Sequence, residues 1–243
     1  MFIELRLGRK MPSVLKLKPK PMATRIKTSQ RIVNNSLALF NQLGERAVST
    51  NHIAAHMEIS PGNLYYHFPN KQAIISVLFS EYEALVLSFL HPPEGRLPTV
   101  ADKRHYLQQL LDAMWRYRFI YRDIEHLLRS DADLAASYRR FSFACLTQAQ
   151  AIYSGFVEAG ILRMSAQQVE SLALNAWIIL TSWVSFLCAT RENSDTLSEQ
   201  ALKRGVYQVL ELSSGFTTEH ARAEVDELIK DFYVPLNQTL DGH

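Results

Sequence analysis

The sequence predicts an all-α protein, and three observations carry that reading. Apolar residues recur at helical spacing as far as the C-terminus, no run alternates with period two between Asn-Gly or Asp-Gly turns, and capping signals punctuate the periodic segments. With 243 residues, 47% hydrophobic and 21% charged, the composition is that of a globular chain with room for one large domain or two small ones.

The first helix opens at Thr28, places Val33, Leu37 and Phe40 on one stripe, and closes at Gly44, where a left-handed residue is wanted. Thr50 then caps a short helix through Met57. Ser60 followed by Pro61 is an N-cap with proline at the first helical position, opening a second short helix through His67. Asn70 caps a longer helix whose stripe is Ile74, Ile75, Leu78, Tyr82, Leu85, Val86 and Phe89. The Pro/Gly cluster from His91 to Arg96 ends that helix and marks the domain boundary. Five or six helices are expected beyond it, over 100–118, 123–129, 133–159 with Gly160 closing, 166 to about 190, 201–212 and 221–233.

Charge divides the chain at a similar place. Residues 1–72 carry eleven Lys/Arg against Glu4, Glu45 and Glu58, a balance of +8, while the rest carries fifteen against twenty-one Asp/Glu, a balance of −6. That asymmetry suits a small polyanion-binding module joined to a larger body, although six of the positive residues precede Met22, where a solvated tail explains them equally well. Cys145 and Cys188 cannot make a disulfide framework, so a reducing cytoplasm fits, and the basic N-terminus lacks the apolar run of a secretion signal.

Ile53, Ala54, Met57, Ile59 and Leu64 have the spacing of a helix-turn-helix, with the small Ala54 at the crossing. The stretch from Ile53 to Lys71, IAAHMEISPGNLYYHFPNK, closely resembles the DNA-binding signature of the TetR family of bacterial transcriptional regulators. About ten positions match in register, from the Ile-Ala pair through Ser-x-Gly-x-Leu-Tyr-x-His-Phe to the lysine. Glu58 departs from the pattern, standing in the turn where the family usually has glycine; if that residue needs positive φ, the cost is on the order of 1 kcal/mol.

The resemblance implies a homodimer that binds a double-stranded, palindromic DNA operator and answers to a small-molecule effector, with no cofactor and no membrane. Residues 1–22 are then a basic extended or disordered segment, either a DNA-grasping arm or a dispensable start. Residues 23–91 are the DNA-binding domain with its connecting helix, and 97–243 the ligand-binding and dimerisation domain. A recognition helix of two turns must enter the major groove by its N-terminal end, where Gly62 admits the backbone and Asn63 reaches a base edge or phosphate. Tyr65 and Tyr66 offer rings to thymine methyls and hydroxyls to phosphates, although a core ring with a surface hydroxyl is the plain alternative for Tyr65. His67, Lys71 and Thr50 complete the expected contacts, the last two at helix starts that favour phosphate.

His52 and His56 share one helical face as metal-binding histidines do, but no Glu makes HExxH and no third ligand is nearby, so no metal is expected. P-loop, GxGxxG and GxSxG motifs are absent as well, and no catalytic residue is assigned. Residues 171–190 are uncharged and long enough to span a bilayer, yet Asn175, Thr181, Ser182 and Ser185 interrupt them. The favoured reading is a helix buried on one side by the chain's own core and on the other by a second subunit, with 221–233 adding to that interface. Residues 101–190 also hold thirteen of the 25 aromatics. Trp115, Phe119, Phe141, Cys145, Trp177 and Thr181 are the candidate effector-binding residues, because the family most often builds its pocket from those three helices. A DNA-bound factor that recruits a partner protein and has no effector is the rival reading, distinguished by a filled core and an exposed apolar patch.

Overall fold

The computed structural model describes residues 27–190 and 197–240; the expected N-terminal segment 1–22 lies outside them. The described residues form eleven α-helices and no strand. They run α1 Thr28–Leu43, α2 Thr50–His56, α3 Pro61–His67, α4 Lys71–Phe89, α5 Val100–Arg116, α6 Arg118–Ser130, α7 Ala132–Glu158, α8 Ala166–Thr190, α9 Glu199–Ser214, α10 Arg222–Phe232 and α11 Leu236–Leu240, with a 3-10 turn at Glu219–Ala221.

Helix starts follow the capping chemistry closely. Ser60 accepts from Asn63 N–H and Asn70 from Ala73 N–H, as read from the sequence. The cap of α2 is Ser49 and not Thr50: its side chain accepts from His52 N–H, which makes Thr50 the first helical residue. Gly44 and Gly160 both have positive φ, and Glu58 is the one non-glycine among the described residues that does, at 54°.

α1 to α4 enclose an apolar centre of Ile32, Phe40, Ile53, Leu64, Ile74 and Leu78, all fully buried. That centre continues along α4 into the body, where Phe79, Tyr82 and Val86 meet α7 and its neighbours. α8 packs against α6, α7 and α9. Trp183 fixes the α8–α9 crossing, because its indole Nε1–H donates to Ala201 O at 2.7 Å and a Cβ on Gly205 would lie 2.6 Å from its ring.

Three expectations are corrected. The amphipathic helix from Val100 stops at Arg116, and the next begins at Arg118, five residues before the expected start. Tyr117, buried with φ −113° and ψ 31°, forms the break. No glycine or proline marks it; Asn41 of α1 does, its amide donating to Arg116 O at 2.8 Å while its carbonyl accepts from Phe119 N–H at 3.1 Å. Secondly, seven helices follow the boundary among the described residues, α11 being unforeseen. Thirdly, α10 turns Val225, Leu228 and Phe232 into the chain's own core, so the large apolar side chain that residues 221–233 leave exposed is Tyr233, just past its end. α8 offers more: Leu174, Ile178 and Phe186 are exposed along one uncharged face.

Candidate functional site

The exposed end of α3 carries side chains that the fold does not use. Asn63 and Tyr66 stand in solvent, Tyr66 at 85% exposure, its ring edge-on to His67. A Cβ on Gly62 would meet only Ser60 Oγ at 3.9 Å, so internal packing does not demand glycine there. Leu64 and Phe68, on the opposite face, are buried. Tyr65 is half exposed, and its hydroxyl bonds Thr50 Oγ1 at 2.9 Å, tying the start of α2 to α3. Gly62, Asn63, Tyr65, Tyr66, His67 and Thr50 thus share one surface at the start of α3, where Ser60 and Pro61 leave only the Gly62 N–H without a partner inside the helix.

Lys71 departs from the expected phosphate contact. Its ammonium donates to Glu45 O and Val48 O at 3.0 Å each and lies 2.6 Å from Glu45 Oε1, which occupies all three of its donors. Glu45 is buried, with His126 Nε2 3.6 Å from its other oxygen. The lysine therefore clamps the α1–α2 turn onto the start of α4. Of the basic residues in the charged N-terminal third, Lys27, Arg31 and Arg46 remain exposed within the described part.

The effector candidates divide. Phe141, Cys145, Trp177 and Thr181 line one cavity of about 70 Å³, joined there by Tyr82 and Tyr121. Trp115 and Phe119 do not reach it. Trp115 lies under the Arg118 guanidinium, 4.1 Å from its ring centroid, and Phe119 packs on Phe40 of α1 at 5.3 Å. A second cavity of about 90 Å³ shares Leu90, Leu110, Ala149, Ala176 and Leu180 with the first and runs on to Lys103, Tyr106 and Tyr153. The two adjoin across these shared residues and together make up a slot in two parts, bounded by α4, α5, α6, α7, α8 and α9, with small alanines at the waist where they meet. Burial pushes the Cys145 thiol up to about 12, so it is an inert wall and not a nucleophile. Tyr82 and Tyr121 share a 2.5 Å hydroxyl contact, and burial raises both above the ordinary phenol range.

Tyr121 belongs to α6, whose other side is fastened to the head. Arg122 donates to Phe40 O at 2.6 Å, and Asp123 accepts from Glu45 N–H at 3.2 Å. Sequence reasoning pairs Arg122 with the neighbouring acids, and it does lie 3.6 Å from Asp123, but its hold on Phe40 O and the cavity positions of Tyr82, Tyr121 and Lys103 were missed. For Lys103 a signal was present: it falls on the stripe of Val100, Leu107, Leu111 and Met114, where a charge is out of place.

A family model described as "Bacterial regulatory proteins, tetR family" matches residues 32–78, and one described as "Bacterial transcriptional repressor" matches 81–225. Over 69 residues the chain is 35% identical to the HTH-type transcriptional regulator UidR of Escherichia coli strain K12, covering 28% of this chain and 35% of that protein. The chain thus spans about a third of the length of the first curated relatives it matches. A TetR-family transcriptional regulator of known structure from Marinobacter aquaeolei VT8 is 41% identical, with a TM-score of 0.79 over 86% of this chain and 100% of the other. Salmonella enterica GusR shares the fold at a TM-score of 0.52 and 16% identity, over 87% of this chain and 100% of its own.

Proposed function

The chain belongs to the TetR family of bacterial transcriptional regulators, and on that premise we propose that it is a cytoplasmic, homodimeric repressor that binds a palindromic operator and is released by an apolar or amphipathic small molecule. Residues 23–91 bind DNA, and residues 97–243 hold the effector and the second subunit. The observation that carries the reading is the N-terminal surface of α3, where Gly62, Asn63 and Tyr66 are exposed and serve no packing purpose. Exposed polar and aromatic groups at a helix N-terminus suit the major groove, while Tyr65 and Thr50 keep the helix at a fixed angle to α2.

The slot supports an effector over the alternative of a partner-recruiting factor, since the body keeps an apolar cavity. A molecule seated beside Trp177 presses on Tyr121, and Arg122, the next residue of α6, holds the carbonyl end of α1. Movement of α6 then reaches the head directly. Nearly complete switching requires the effector to favour one head spacing by about 5 kcal/mol.

Selection from a random duplex library, followed by footprinting, tests the DNA reading. The expected outcome is a palindrome whose half-sites lie about 34 to 36 Å apart, or a multiple of that. Asn63→Ala and Tyr66→Ala should weaken the selected site about tenfold or more while leaving random duplex unchanged. A library that enriches no common sequence overturns the assignment.

A further inference from the structure

The apolar slot contains one charge. Lys103, on α5, is 5% exposed and lines the larger cavity, and its Nζ donates to Ser213 Oγ at 2.8 Å. Ser213 is itself buried, and its hydroxyl donates to Leu210 O at 2.8 Å. No carboxylate among the described residues pairs with the ammonium, and burial alone accounts for its depressed proton affinity, down to about 8. Two phenols line the cavity: Tyr106 donates to His91 O at 2.7 Å, and burial keeps Tyr153 protonated, so neither supplies a negative charge. A buried ammonium with one neutral partner is expensive, since desolvation of an ion costs several kcal/mol unless an opposite charge offsets it.

We propose that Lys103 is the anion-reading residue of the effector site, and that the effector is a slender alkyl carboxylate, its head on the Lys103 ammonium and its chain threaded between Ala149 and Ala176 towards the Tyr82–Tyr121 pair. This deepens the effector reading above and rests on it. One ammonium donor is held by Ser213, which leaves two for a carboxylate, the geometry of a charge-assisted pair. The slot fixes the rest of the molecule. Its two parts, of about 90 and about 70 Å³, fall well below the roughly 300 to 1,000 Å³ of drug-sized sites, and the waist they share is walled by leucines and alanines. An unbranched chain fits such a passage; a fused-ring skeleton does not.

Octanoate, 1-octanol and octylamine are the probes, titrated calorimetrically into the full-length protein and, separately, into its complex with a selected operator duplex. Octanoate should bind about tenfold or more tightly than octanol, with octylamine weaker still. Lys103→Met should erase the preference for octanoate while octanol still binds, and Ala176→Leu, which fills the waist and leaves the ammonium in place, should weaken both. Equal binding of octanoate and octanol to the wild type, or octanoate binding that survives Lys103→Met unchanged, overturns the proposal. Selective octanoate binding that leaves operator affinity unaltered upholds the site and removes the effector reading instead.

Discussion

The Lys71 ammonium lies 2.6 Å from the buried carboxylate of Glu45 and also holds the backbone carbonyls of Glu45 and Val48, so a residue at a helix start facing outward in the sequence is a structural tie. Removing one member of a buried ion pair leaves the other charge uncompensated. Lys71→Met should therefore cost about 3 kcal/mol in denaturant unfolding. Adding Glu45→Gln should recover part of it. The slope of operator affinity against salt should stay the same, because no phosphate contact is lost; a shallower slope in Lys71→Met would restore the phosphate role.

Glu58 sits at φ 54° in the α2–α3 turn, a region that costs a residue with a Cβ about 1 to 2 kcal/mol. Its side chain is exposed, so nothing of packing is lost with it. Glu58→Gly should stabilise the head by up to about 1 kcal/mol, a rise in melting temperature of about 2 to 4 °C. A fall in melting temperature would show that the glutamate makes a compensating interaction.

Lys103 gives the stability a distinctive alkaline profile. Its folded pKa, pushed down to about 8, lies below the unfolded value of 10.5, so the unfolded chain binds more protons between the two. The penalty of burying the charge is complete below pH 8 and fades as pH rises. Stability should climb by about 2 to 3 kcal/mol from pH 8 to 10, and Lys103→Met should flatten the rise. The tyrosines facing the same cavity do not mask it: burial raises Tyr106 and Tyr153, so they cost stability only above pH 10. A wild-type profile that is flat or falling over this window would contradict the burial of a charged Lys103.

The exposed face of α8 should hold two subunits together. Ile178 lies in its middle at 50% exposure, flanked by Leu174 and Phe186. Ile178→Asp would place two like charges near the axis of a twofold interface. Sedimentation at micromolar concentration should show a dimer for the wild type and a monomer for the variant, with operator affinity falling alongside. A wild-type monomer would refute the interface.

Legibility in the sequence followed the range of the interaction. α1 to α4 could be read almost to the residue, because Ser60, Pro61, Asn70 and Gly44 act within a turn of themselves. The α5–α6 break could not, since the side chain that satisfies its freed backbone groups is Asn41, 75 residues away. The cavity was half legible. Phe141, Cys145, Trp177 and Thr181 fall on α7 and α8, two of the helices that wall it, whereas Trp115 and Phe119, equally aromatic, are claimed by Arg118 and Phe40. Aromatic content places such rings in a core and leaves open which of them border empty space.

The fastening of α6 to α1 bears on engineering. Arg122 grips a main-chain carbonyl, at Phe40, and Arg116 offers one to Asn41, so each link asks for a particular side chain on one partner only. Any transplanted head supplies the carbonyl at position 40, whatever residue stands there. A chimera that joins a foreign α1–α3 to residues 71–240, which keep the α4 wall of the slot, should accordingly inherit the response to octanoate, provided that it has asparagine at position 41 and a carboxylate at position 45 to meet Lys71. The same chimera with alanine at 41 should bind its operator and ignore the ligand. Interchangeable reading heads on a fixed sensor need little more than this single amide at the joint.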